Sequence, residues 1–387
     1  MSKGKKTKRV AINMGSGFVP GMNAVIIGAA LAAGKLGWEI VGIRDGFDGL
    51  LHPEHHPDGG LLPLTPQLIE NLDPAGGGIL GQSAPVDPFH VRRMNEHELV
   101  EEVDVSDQLL DALKAVEIDA LISVVGGRGL SIMHKLHRKG LKTVCVPRSV
   151  ENDIGATMVS FGFNSVLSFT IEMLDRARQA AQSARKIGVV EVLGAQAGWL
   201  ALQAGIAVRA DAVLIPEIPS DLNIVAEKLK EKVRPERPYG LVVVAEGAQF
   251  HASAQKEKYV PSLKASLSPL ATGDASDHVI QQSGQAAESV ANELQLLIAQ
   301  ETHPLVLGSW ARGGTPTAVD RQLGVAYGAG AVQAVKEGKD GVLVAFSPPE
   351  LRFVPLAEAI NKVRTVPTDS EFIRIADSLG ICLGRNV

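Results

Sequence analysis

Short runs of β-branched and aliphatic residues alternate along this chain with longer segments whose apolar positions recur every three to four residues. The runs RVAINM, EIVGI, ALISVV, TVCVP, KIGVVEVL, AVLIP, LVVVAE, PLVLG and GVLVAF predict strands, because each is short, apolar and bounded by turn residues. Helical periodicity covers 22–36, 165–184, 197–208, 279–299 and 318–336. Strand–helix–strand alternation places the chain in the α/β class, with mainly parallel sheets and helices on both faces. Nine strands over 387 residues exceed one small sheet, so two Rossmann-like lobes are expected. In such folds ligands sit beyond the carboxyl ends of strands, so the residues just after each strand are the ones to inspect.

Composition narrows the class. Glycine is plentiful, at 40 residues, and aromatics make up only 4%, which suits an α/β protein better than a β-sandwich. A net charge of −5 gives no footprint for nucleic acid. The basic start MSKGKKTKR runs straight into a strand and lacks the apolar core of a signal peptide. The most apolar stretch, AVIIGAALAAGKLGW, carries Lys35 and is too short to span a bilayer. Cys145 and Cys382 form no disulfide framework and no metal spacing. A reduced, cytoplasmic protein with no membrane partner is the expectation.

Two segments interrupt the alternation. Residues 51–75 are rich in Pro, Gly and His, and 248–276 are polar with little period, so both are expected as surface loops that can carry a short helix. HPEHHP contains three histidines, but its prolines break the helical spacing that usually presents metal ligands, so it is expected as a solvated loop.

The strand ends carry the candidate chemistry. NMGSGFVPGMN (13–23) places Gly15, Gly17 and Gly21 before a helix whose amides can meet an anion, though tight turns use glycine for their own reasons. GGGILGQSA (76–84) and VVGGRGL (124–130) are further glycine turns, the second with Arg128 at its tip between Gly127 and Gly129. PRSVENDIG (147–155) is the densest cluster, with Arg148, Ser149, Glu151, Asn152 and Asp153. Two carboxylates beside a guanidinium can do acid–base work or bind a cation. A helix cap would explain one of these five residues. Later strands end at Leu193, Gly194 and Ala195, at Glu217 and at Glu246, and LGSWARGGTP presents Arg312 before two glycines, which suits bidentate phosphate binding. Glu246 reads equally as a surface acid, and Arg312 as an exposed turn residue.

In order along the chain these strand ends resemble the phosphofructokinase family, from about residue 8 to the C-terminus. GSGFVPGMNAVI is similar to GGDAPGMNAAI, GGGILGQSA to GGTILGTSR, VVGGRGL to the GGDGS or GGEGT turn, and RSVENDI to KTIDNDI. VVEVLGAQAGWLAL is similar to VVEVMGRxxGxLAL and VLGSWARGGTPTAVDR to VLGHIQRGGTPTAFDR, while VPTDSEFIRIADSLGICLG resembles members that use ATP or pyrophosphate. The resemblance implies a two-lobed α/β fold. Residues 1–162 plus 311–361 would form the donor lobe, and 163–310 plus 362–387 the sugar-phosphate lobe. It also implies phosphoryl transfer to fructose 6-phosphate, a magnesium ion, ATP or pyrophosphate as donor, and a homodimer or homotetramer with sites built across subunits.

Carried over, the resemblance assigns Glu151, Asp153 and Arg148 to catalysis, and Gly17, Gly127, Arg128 and Gly129 to the donor. Ser149, Asn152, Lys186, Gly194, Glu246, His303 and Arg312 fall on sugar-phosphate positions, Lys186 and His303 being those a partner subunit supplies. Several positions depart from the pattern. Phe18 stands for an aspartate, Ala84 for the donor-loop arginine, Arg128 for the acid of the magnesium turn and Leu130 for its hydroxyl residue. Glu151 stands for the catalytic aspartate, Leu193 and Ala195 for methionine and arginine, and Ser309 for a histidine. Arg148 falls where pyrophosphate users carry lysine and ATP users glycine, whereas Gly129 is what ATP and mixed users carry.

Exchanging a carboxylate for a guanidinium changes the local charge by two units. At ~4 Å and an effective dielectric near 20 each unit pair is worth about 4 kcal/mol. Arg128, if it faces the site, therefore excludes magnesium from its family place; it would otherwise point away or itself neutralise a phosphate. Three functions stay open on sequence. The first is a divergent phosphofructokinase. The second is a sugar-phosphate-binding or regulatory homologue, a pseudoenzyme that could pair with an active paralogous subunit. The third is another reaction on a phosphorylated metabolite.

Overall fold

The computed structural model describes residues 7–81, 87–94, 100–251, 284–360 and 362–386. Ala84, residues 252–276 of the polar segment and the start of the 279–299 helix lie outside them.

Among the described residues the larger sheet has eight strands. Its order is Glu350–Pro355, Val342–Ser347, Thr143–Ser149, Ala120–Val125, Arg9–Met14, Glu39–Ile43, Leu61–Pro63, with Phe161–Gly162 paired to Thr143–Ser149. Its interior pairs are parallel and its two edge pairs antiparallel. The second sheet runs Ala212–Leu214, Gly240–Ala245, Ile187–Val192, Thr302–Val306, parallel throughout. Central strands such as Ala120–Val125 and Gly240–Ala245 are buried at every position, which is why they read as continuous apolar runs.

All nine expected strands are present, within a residue or two at each end. The sequence reading missed the antiparallel strand Glu350–Pro355, because its alternating ELRFVP pattern reads as a loop when the preceding turn is unknown. It also missed the helices Ser106–Ala115, Gly127–Arg138, Leu222–Lys232 and Glu371–Ser378. Residues 51–75 carry the short helix, Pro66–Glu70, and beyond that expectation a 3-10 turn at Pro53–His55 and the edge strand Leu61–Pro63.

The apolar stretch at 22–36 is the helix Met22–Lys35, packed on Ala318–Lys336. The two backbones touch: a Cβ on Gly328 would lie 2.1 Å from the carbonyl of Val25. Small residues on both helices permit this approach, and burial of nearly every position from Met22 to Ala30 explains the lack of a polar face there. Among the described residues no helix is long and apolar enough to cross a membrane.

Register positions the site. Met14 pairs with Val124, and Val125 with Pro147, so three neighbouring strands end level with one another. In the second sheet Val192 pairs with Ala245, so Leu193–Ala195 and Glu246 emerge side by side.

Candidate active site

Those strand ends face one cleft of ≈ 410 Å³. Its walls include Ser16, Gly126–Arg128, Arg148–Glu151, Asp153, Ala195 and Arg312, and also Lys362. Residues more than 100 positions apart in sequence meet here because parallel strands deliver their carboxyl ends to one edge.

VVGGRGL is a helix start rather than an isolated turn. Gly126 is the N-cap and the helix begins at Gly127, without a capping side chain. Its first-turn amides are therefore available to an anion, and Gly126, Gly127, Arg128, Leu130 and Ser131 line the cleft. A Cβ on Gly127 would meet nothing within 4 Å, so that glycine leaves open space, whereas one on Gly129 would lie 2.6 Å from Cβ of Val125. Gly129 is thus a packing glycine and Leu130 is buried at 1% exposure, so two of the turn's residues serve the core. The side chain of Arg128 is 46% exposed, and its Nη2 lies 3.8 Å from Oδ2 of Asp87. The guanidinium that breaks the family pattern thus faces a carboxylate of the chain itself.

Arg148 is buried at the end of its strand. Its guanidinium donates to the carbonyls of Ser16 and Gly17, pinning the first glycine turn. Gly17 adopts φ 85°, a backbone region that favours glycine. Ser149 donates its hydroxyl to Oδ1 of Asp153 at 2.5 Å and accepts the amide of Glu151 at 3.1 Å. Asn152 has φ 56°, accepts from the amide of Ser160 at 3.0 Å and donates to the carbonyl of Met158 at 3.2 Å. It holds the loop rather than facing the cleft.

Glu151 and Glu246 lie side by side on two consecutive amides. Oε2 of Glu151 accepts from the amide of Ala195 at 3.0 Å, and Oε1 of Glu246 from the adjacent amide of Gly194 at 3.1 Å. Gly194 has φ 148°, and a Cβ there would lie 3.0 Å from the carbonyl of Ala197. Burial, with Asp153 close by, pushes the Glu151 carboxyl up to about 7, against the opposing pull of Arg312 and the Ala195 amide. Burial and the charge of Glu151 raise Glu246 well above the usual carboxylate range. A carboxyl titrating near neutrality in a cleft is suited to take a proton. Arg312 ends a 3-10 turn on the cleft wall and opposes the charge of both glutamates.

Lys186 and His303 do not join this cluster. They line a separate cavity of ≈ 400 Å³ between Phe163–Ala184 and Thr302–Val306, where Lys186 pairs with Glu301 at 2.8 Å. Glu217 is also structural: it accepts the amides of Gly198 and Val366, fastening a helix start to the C-terminal segment.

That C-terminal segment is the feature sequence reasoning missed. The amide of Arg364 donates to the carbonyl of Asp153 at 2.7 Å, and its guanidinium stacks 4.1 Å from the ring centre of Trp199. Trp199 donates its indole N–H to the carbonyl of Arg364 at 2.7 Å. Residues 362–366 are thereby strapped over the loop bearing Glu151, and Lys362 is brought to the cleft. A lysine and an arginine flanking a β-branched residue near the C-terminus gave no signal of this.

Magnesium takes oxygen ligands, commonly one or two carboxylates plus substrate phosphates. On the cleft wall Glu151 and Asp153 fit that donor set, and the helix start at 126–131 offers a guanidinium in place of an acid.

The phosphofructokinase family model matches residues 9–335. The chain is 35% identical over 382 residues to the ATP-dependent 6-phosphofructokinase of Chloroflexus aurantiacus, covering 98% of both chains. It is 36% identical over 363 residues to the pyrophosphate–fructose 6-phosphate 1-phosphotransferase of Amycolatopsis methanolica, covering 93% of this chain and 97% of that one. The solved structure of a pyrophosphate-dependent phosphofructokinase from Marinobacter aquaeolei has the same fold, with a TM-score of 0.72 at 20% identity over 97% of this chain and 88% of that one. With its fold, its order of strand-end motifs and these relatives in agreement, the chain belongs to the phosphofructokinase family.

Proposed function

We propose that this chain transfers a phosphoryl group to the 1-hydroxyl of fructose 6-phosphate, with Glu151 as the proton acceptor and pyrophosphate preferred over ATP. The observation that carries the reading is Glu151 itself. It is a carboxylate held by the Ala195 amide on the cleft wall, opposed by Arg312, with its carboxyl pushed up to about 7. One methylene longer than aspartate, it stays in reach because the site where the family carries a bulky arginine is here Ala195, whose amide fixes the longer side chain. Glu246 would accept from the sugar's hydroxyls and Arg312 would hold its phosphate. Lys186 and His303, remote from this cleft, would serve a neighbouring subunit's site in a homo-oligomer.

Arg148 supports the shorter donor: its guanidinium spans to the first glycine turn, on the side where a donor extends. The amides at the start of Gly127–Arg138, with Arg128 and Lys362, would receive the diphosphate. Asp153 would hold magnesium together with the donor's phosphates, and the ion would neutralise charge developing on the transferred group.

The test is a coupled assay with fructose 6-phosphate and either pyrophosphate or ATP, with and without magnesium. Turnover with pyrophosphate exceeding that with ATP is expected. Turnover with neither donor, alongside calorimetric binding of fructose 6-phosphate, would replace this reading by a second one: a sugar-phosphate-binding homologue without catalysis. The engagement of Arg128 by Asp87 in the donor half is the observation that favours that alternative.

A further inference from the structure

The segment HPEHH is expected from its prolines to present no metal ligands together, yet the structure brings them together. Pro53–His55 is one turn of 3-10 helix. With three residues per turn, side chains three apart lie over one another. His52 and His55 accordingly stack, with ring centres 4.9 Å apart and planes at 20°. Glu54 turns back so that its Oε1 lies 3.4 Å from Nδ1 of His52. One ligand atom from each of His52, Glu54 and His55 lies within 4.8 Å of those of the other two.

Behind this trio stands Asp48, with a side chain only 18% exposed. Its Oδ2 lies 3.2 Å from Nδ1 of His55 and 3.0 Å from Nε2 of His56. A carboxylate accepts, so the proton of His55 sits on Nδ1 and the lone pair on Nε2. A carboxylate fixing the tautomer of a ligating histidine from behind is a recurrent feature of metal sites.

We propose that His52, Glu54 and His55 form a binding site for a zinc-class divalent transition ion, with Asp48 as the residue that orients His55. Two imidazoles and one carboxylate are a donor set for such an ion, and three protein ligands leave a position for water. Ligand atoms around a tetrahedral ion at ~2.1 Å lie about 3.4 Å apart, so from separations within 4.8 Å the trio closes by up to about 1.4 Å on binding. The side chains can move that far, since His55 is 57% and Glu54 66% exposed.

The site is distinct from the catalytic cleft, none of whose lining residues it shares. It is joined to the donor side through the backbone. Arg44, directly after the strand Glu39–Ile43, donates from its amide to the carbonyl of Gly60 at 3.0 Å and from Nη1 to the carbonyl of Ile79 at 2.6 Å. An ion at the trio fastens residues 48–55, the turn beside this junction, and so stiffens the approach to the glycine segment 76–81.

The test titrates the full chain with zinc chloride by calorimetry in excess magnesium, and with cobalt chloride by visible absorption. One zinc per chain is expected, together with cobalt bands of a four- or five-coordinate site and a rise in Tm. His52→Ala and His55→Ala abolish the cobalt bands, and Asp48→Asn weakens zinc binding by about 10-fold or more. All these side chains are partly exposed, so the metal-free Tm should stay unchanged for the histidine variants. The proposal fails if no zinc binds at micromolar concentration. It fails equally if the doubly substituted His52→Ala/His55→Ala chain binds zinc with the affinity of the original.

Discussion

The two halves of the cleft have diverged from the family pattern in different ways. In the half proposed to take the donor, polar groups are turned onto the protein: Arg148 onto the carbonyls of Ser16 and Gly17, Arg128 towards Asp87, the hydroxyl of Ser149 onto Asp153. In the half proposed to take the sugar, Glu151 and Glu246 share two consecutive amides and keep elevated proton affinity, with Arg312 as their counter-charge. The first half is thus engaged with the protein itself, while the second holds carboxyls away from their ordinary protonation. Satisfied charges stabilise a fold, whereas groups held away from their ordinary protonation equilibrium are what catalysis uses.

The largest expected effect comes from breaking the sugar half. Glu151→Gln keeps the shape and removes the proton acceptor, so turnover with pyrophosphate should fall about 100- to 10,000-fold while binding of fructose 6-phosphate persists. Unchanged turnover would show that Glu151 is not the base. The same residue sets the pH dependence. As a base it must be deprotonated, so the rate should rise as pH climbs through about 7, and a pH–rate profile reads this directly. Stability runs the other way. The folded chain holds the Glu151 proton more tightly than the unfolded chain, whose carboxyl titrates near 4.5. Stability from this group is therefore greatest below that value and is lost as pH rises towards about 7. Glu151→Gln should accordingly gain in Tm relative to the original chain on moving from pH 4.5 to pH 8, as differential scanning calorimetry would show.

Next in size is Arg312→Lys, which retains the charge and loses the planar fork. A rise in KM for the sugar phosphate of roughly 10-fold is expected, with a smaller change in kcat. Equal KM values would remove Arg312 from the phosphate site.

Asn152→Ala tests the scaffold between the halves. It removes two hydrogen bonds and places alanine at φ 56°. A loss of about 1–3 kcal/mol in chemical denaturation is expected.

The smallest effect is expected at Arg128. Its pair with Asp87 is long and half-exposed, so Arg128→Asp should alter stability by less than about 1 kcal/mol. It should increase the dependence of activity on magnesium, which a metal titration measures. Pairing it with Leu130→Ser would obscure the result, because Leu130 is buried in the core beside Val125 and Met133.

Much of the fold was legible because burial writes itself into sequence. Strands covered on both faces are unbroken apolar runs, and helices such as Ala318–Lys336 keep their period to the residue. Edge and surface elements were harder. Glu350–Pro355 pairs on one side only, and Glu371–Ser378 packs one narrow face. Gly127–Arg138 was hidden because its N-cap is glycine, with no side chain to announce it.

By itself the sequence determined the α/β class, the order of strand-end motifs and hence the family, and the chemical types available at each strand end. Those follow from local periodicity and from residue identity, which need no partner to be read. Only the tertiary structure decided where the charges go. It turned Arg128 towards Asp87 and Arg148 onto the first glycine turn, separated Lys186 and His303 from the cleft, strapped residues 362–366 over the loop bearing Glu151 and stacked His52 on His55. A side chain's direction depends on what stands opposite it, and that neighbour is set by strand register and chain reversal across many tens of residues. No single stretch of sequence carries that information.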